Sequence, residues 1–130
     1  MKDEEIKFQN DICCVILEVA NAVNGFMKNV SMTQVDRVQM EVLNNSFLIP
    51  SQKEMKMFFR QGRESSGIEI LKFVFELDSA NHLLTLKRND LKIGEPLLIP
   101  RIYDKHDLQI LRDKLIERIV KFLINTPLEP

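Results

Sequence analysis

The residues of this chain that could do chemistry are few, and their spacing decides what each set could support. A zinc or other transition-metal site needs histidine or cysteine ligands in register, but the two histidines, His82 and His106, have no partner ligand at such spacing. Both read as exposed residues at the ends of elements. A serine nucleophile would have to come from Ser65-Ser66, which leads out of a predicted helix toward a strand and lacks the Gly-x-Ser-x-Gly turn that presents such a hydroxyl. The glycines at 25, 62, 67 and 94 never cluster into a phosphate-cradling loop. Asp36, Glu54 and Lys56 have loosely the order of a metal-dependent nuclease site, in which acidic oxygens hold a divalent ion and the lysine stabilises developing charge. Glu54, however, reads as a helix-capping partner.

A second set is basic. Lys53, Lys56, Arg60 and Arg63 cluster on and just beyond a predicted short helix that a β-hairpin follows, the order of a winged-helix nucleic-acid binder if Met32 to Leu43 is helical too. In that reading the lysines and arginines contact phosphates, with Lys87 and Arg88 adding charge from the hairpin. The net charge of -1 offers no global field to support it. Phe58 and Phe59 beside Arg60 could stack unpaired bases, but their helical spacing with Met55 fits core packing better. The methionines, which could line an adaptable groove, are read as fillers of irregular core gaps.

These candidates depend on the elements that would position them. From Asp3 to Lys28, polar residues recur at three-four spacing in one narrow stripe, which predicts a long helix apolar around well over half its circumference. Such a helix must be covered on more than one side, by a second helix above the sheet or by another subunit. Val35 to Leu43 fits either helix or strand; its three valines favour a strand. Asn44-Asn45-Ser46 turns the chain, and Phe47-Leu48-Ile49 reads as a short extended piece. Ser51 followed by Glu54 resembles a capping box, and Met55, Phe58 and Phe59 make an apolar face, so a short helix is predicted over Gln52 to Gln61. Residues 63 to 67 read as a polar loop.

The strongest pattern is the pair of β-branched and aromatic runs, Ile68 to Leu77 and Leu83 to Arg88, joined by Asp78-Ser79-Ala80-Asn81-His82. They predict an antiparallel hairpin with Leu71, Phe73, Phe75 and Leu77 facing the core. The other face, where Ile68, Ile70 and Val74 interleave with Lys72 and Glu76, is half-apolar and calls for partial cover. A further extended run, Pro96 to Tyr103, carries prolines that favour an edge position. Asp104 then caps a closing amphipathic helix through Leu108, Leu111, Leu115, Ile119 and Phe122.

The sum is a single α+β domain over residues 1–130: an antiparallel sheet of about four strands, a long N-terminal helix, a C-terminal amphipathic helix, and one short helix between strands. At 130 residues with 45% hydrophobic and 28% charged side chains, one core burying roughly two-thirds of the unfolded surface is expected. Cys13 and Cys14 are adjacent and read as buried thiols rather than a disulfide. The acidic start Lys2-Asp3-Glu4-Glu5 does not resemble a secretory leader, and no apolar run approaches a membrane span, so a cytoplasmic location is expected. No cofactor is implied. The expected role is non-enzymatic: association with a protein partner, including a second copy of the chain, with nucleic-acid binding through Lys53, Lys56, Arg60 and Arg63 as the alternative.

Overall fold

A computed structural model describes the backbone of residues 3–29, 35–44, 52–61, 68–88 and 91–125. Two helices, α1 (Asp3–Asn29) and α2 (Lys105–Asn125), enclose in sequence the strands β1 (Val35–Asn44), β2 (Gln52–Gln61), β3 (Ile68–Asp78), β4 (Leu83–Arg88), β5 (Leu91–Lys92) and β6 (Leu97–Leu98). The strands form one antiparallel meander in the order β1-β2-β3-β4-β5, with β6 also paired to β4. The fold is therefore α+β, as the sequence predicts.

One prediction is overturned. Residues 52–61 are the strand β2, paired along its length with β1 on one side and β3 on the other, and not a short helix. Met55 and Met57 are both buried, an alternation of period two that a helix would have broken by turning Met57 away from Met55. The capping-box spacing of Ser51 and Glu54 is a weak local signal, and two flanking ladders of backbone hydrogen bonds outweigh it. β1 matches the predicted strand at 35–43, and the hairpin of β3 and β4 falls where expected. Residues 45–51, with Phe47-Leu48-Ile49, and the polar loop 62–67 lie outside the described residues.

Both helices lie on one face of the sheet. Met55 and Met57 of β2, Phe73, Phe75 and Leu77 of β3, and Leu84 and Leu86 of β4 point into a single core. From above, Phe8, Ile12, Val15, Ile16, Val19 and Val23 of α1 and Leu111, Leu115 and Ile119 of α2 complete it. The Cys13 sulfur lies 3.6 Å from that of Met55, and Phe122 meets Phe73 edge to face at 5.6 Å. The guanidinium of Arg88, at the end of β4, sits 5.4 Å from the Phe122 ring centroid and closes this end of the core. The broad apolar surface of α1 is thus shared between the sheet and α2.

Cys14 falls on the polar stripe of α1 and is exposed, which corrects the expectation of two buried thiols; Cys13 is half-buried, and neither forms a disulfide among the described residues. Helix α2 starts with a reciprocal cap: the Asp107 amide donates to Asp104 Oδ1 and the Asp104 amide to Asp107 Oδ2, each at 3.0 Å. The amide bond from Asp107 and its companions hold the Asp104 carboxyl below its usual range. The turn before β6 uses Gly94 at φ 74°, where Arg118 of α2 lies over it and donates to the Glu95 carbonyl. An added Cβ would sit 3.1 Å from that guanidinium. Pro96 and Pro100 bracket the two-residue β6, in keeping with their predicted edge position.

Candidate functional site

The richest concentration of polar and aromatic side chains lies where the start of α1, the β3–β4 turn and the segment after β6 converge. They line an open cleft of about 640 Å³ that includes Lys7, Phe8, His82, Arg101, Ile102 and Tyr103. The turn reverses within a few residues because Asp78 accepts hydrogen bonds from the backbone and side-chain amides of Asn81. His82 closes it at φ 51°, in the left-handed region. Two contacts hold that residue: its ring stacks on Phe8 at 3.9 Å and 9°, and its Nδ1 lies 3.2 Å from the Pro100 carbonyl. His82 is therefore half-buried, which corrects its reading as an exposed turn residue, whereas His106 is exposed as predicted.

Beneath the turn, the buried side chains of Gln9 and Ser79 pair, Nε2 donating to Oγ at 2.9 Å. At the cleft wall the Tyr103 hydroxyl donates to Asp11 Oδ2 at 2.5 Å, and the Lys7 ammonium donates to the same oxygen at 3.0 Å. Burial works against ionisation of Asp11, but the bonds from Tyr103 and Lys7 outweigh it and hold the carboxyl below its usual range. Burial, and then the Asp11 carboxylate, hold the Tyr103 phenol protonated well above its usual range. Arg101 donates to the Ala80 carbonyl at 2.6 Å. The hydroxyl of Tyr103, the Nδ1 of His82 and a guanidinium nitrogen of Arg101 are all engaged in joining the first helix, the turn and the last loop.

The candidates drawn from the sequence do not converge. Lys53 takes the register position of Leu77, in the row facing the helices, while Lys56 takes that of Val74 on the open side. Arg60 stands between Arg37 and Glu69, and Arg63 lies outside the described residues. A strand replaces the groove-entering helix, so the winged-helix order is not formed. Asp36 sits at a register irregularity near the start of β1, whereas Glu54 pairs with Leu43, seven positions further and roughly 20 Å away. The nuclease-like set is thus dispersed. Phe58 and Phe59 occupy positions on opposite sides of the sheet. Ser65 and Ser66 lie outside the described residues. Among the described residues no group of three or more metal-ligating side chains is placed to hold an ion.

The open face of the sheet carries charge in rows. Glu41, Lys56, Val74 and Lys87 pair across four strands, and the neighbouring row runs Leu43, Glu54, Glu76 and Thr85. Lys87 meets Glu76 at 2.8 Å and Lys56 meets Glu54 at 3.6 Å. Val74 is only 6% exposed although it faces this side, where its cross-strand neighbours are the long side chains Lys56 and Lys87. Of the apolar residues predicted for the second face of the hairpin, Val74 is the one whose side chain is described, and it is buried.

Besides the exposed Ile6 and Leu17 of α1 and Ile110 of α2, two features at the sheet edges stand out among the described residues. At one edge of the sheet Leu91, Leu98 and Ile102 are 74%, 73% and 94% exposed. At the other, the ten-residue β1 pairs only with β2 among the described residues, leaving its outer row of backbone donors and acceptors unpaired there. No described helix is long and apolar enough to cross a membrane. Comparison with protein-family models, curated proteins and solved structures finds no match.

Proposed function

We propose that this domain is a non-enzymatic protein-interaction module that works by strand addition and associates with a second copy of itself. The observation that carries this reading is the length of the open β1 edge. Ten residues with no proline present a row of peptide groups that another strand satisfies at once, and proteins that do not use such an edge interrupt, shorten or cover it. The opposite edge illustrates the contrast: β5 and β6 are two residues each and are flanked by Gly94, Pro96 and Pro100. The exposed Leu91, Leu98 and Ile102 add separate apolar side chains of the kind that partner surfaces cover.

Sedimentation velocity over a concentration series through the micromolar range tests the reading. The expected result is a sedimentation coefficient that rises with concentration toward that of a dimer. A species that stays monomeric across the whole series contradicts it.

A further inference from the structure

Resting on that reading, we infer that the occupant of the β1 edge is β1 of a second copy, paired antiparallel about Gln39, with Arg37 of each chain opposite Glu41 of the other. Charge and register select this arrangement. β1 carries three charged residues, Asp36, Arg37 and Glu41, and Asp36 falls in the irregularity between Val35 and Arg37. The regular segment begins at Arg37. A two-fold axis normal to the sheet keeps each residue opposite one from its own face, so the axis passes through a residue. Centring on Arg37 or Glu41 would set like charges against each other, and centring on Val38 or Met40 leaves both facing neutral residues. Centring on Gln39 alone gives two Arg37–Glu41 pairs, one on each side of the axis.

The existing neighbours of these residues point the same way. Arg37 is paired across β1 and β2 with Arg60, a like-charge juxtaposition that disfavours an isolated sheet and lacks an acid on the edge side. Glu41 is paired with Lys56. Joining two sheets about Gln39 produces a row reading Lys56, Glu41, then Arg37 and Arg60 of the second copy, in which each carboxylate lies between two cations. The row continues in register with Val74 and Lys87, while Val38 and Met40 come opposite each other at the register positions of Phe59 and Met57. The paired segment is short, which makes the dimer weak and concentration-dependent.

The test is a charge exchange read by sedimentation. Arg37→Glu and Glu41→Arg each set like charges across the seam, and each variant alone should dissociate about tenfold more readily than the wild type or weaker still. An equimolar mixture of the two restores both pairs and should recover association. A fold-neutral second measurement uses Gln39→Cys in a Cys14→Ser background, which should cross-link to itself under mild oxidation, whereas Leu43→Cys in the same background should not. Variants that associate like the wild type, or a mixture no better than its components, overturn this register and leave self-association through another surface. A wild-type chain that is monomeric throughout overturns the broader reading as well.

Discussion

At the scale of single residues, the contacts that join distant parts of the chain are ionisable, and their protonation is tied to folding. Asp11 has a folded-state pKa below its ordinary value, so the stability it contributes is present above about pH 4 and is lost as pH falls through the folded value. Tyr103 is shifted the other way. Its contribution is complete below about pH 10 and is lost as pH rises beyond that, because the unfolded chain then releases a proton that the folded chain retains. Tyr103→Phe removes the phenol and one of the two hydrogen bonds that depress Asp11. Denaturant unfolding at a series of pH values should therefore show both the acid and the alkaline decline becoming shallower in the variant. Slopes equal to those of the wild type would mean that the Tyr103–Asp11 bond does not form in solution. None of this was visible in the sequence, since Asp11 and Tyr103 are 92 positions apart and Gln9 and Ser79 are 70 apart. No local pattern announces such pairs.

At the scale of elements, legibility followed the strength of the hydrophobic period. The long stripe of α1, the alternation of β3 and β4 and the capped stripe of α2 each point to one answer, and each element lies where its residues predict. β2 is the exception, because Met55, Phe58 and Phe59 fit a helix while Met55 and Met57 fit a strand, and the deciding interaction is pairing with β1 and β3, which the segment does not encode by itself. The two assignments differ in what they ask of Met57. In the strand it is fully buried, and Met57→Ala should cost about 2–5 kcal/mol in chemical denaturation, while Lys56→Ala should cost about 1 kcal/mol or less. In a helix whose apolar face runs through Met55, Phe58 and Phe59, position 57 points away and its truncation is nearly neutral. A Met57→Ala variant as stable as the wild type would thus contradict the central position of β2. The same reassignment removes the basis of the predicted basic patch, since Lys53 and Lys56 take alternate register positions along a strand where a helix would have placed them on one face.

At the scale of the whole molecule, two helices on one face of a meander give an asymmetric sheet among the described residues: covered by helices on one side, charged on the other, interrupted at one edge and unpaired at the other. The sequence indicates surplus apolar surface, and part of it stays exposed on α1, at Ile6 and Leu17. The first helix shares much of its apolar surface with the sheet and α2, and Val74 has two lysines as cross-strand neighbours, while among the described residues the β1 edge and the exposed Ile6, Leu17, Leu91, Leu98, Ile102 and Ile110 remain. Edge status is a property of strand order, which no segment carries alone. Amide hydrogen exchange at two protein concentrations tests the role of that edge most directly. Strand addition predicts that amides within Val35–Asn44 gain protection at high concentration and lose it on dilution, while those of β3 stay protected at both. Protection in β1 that is the same at both concentrations, in a sample whose sedimentation shows association, would contradict the assignment of β1 as the interacting edge.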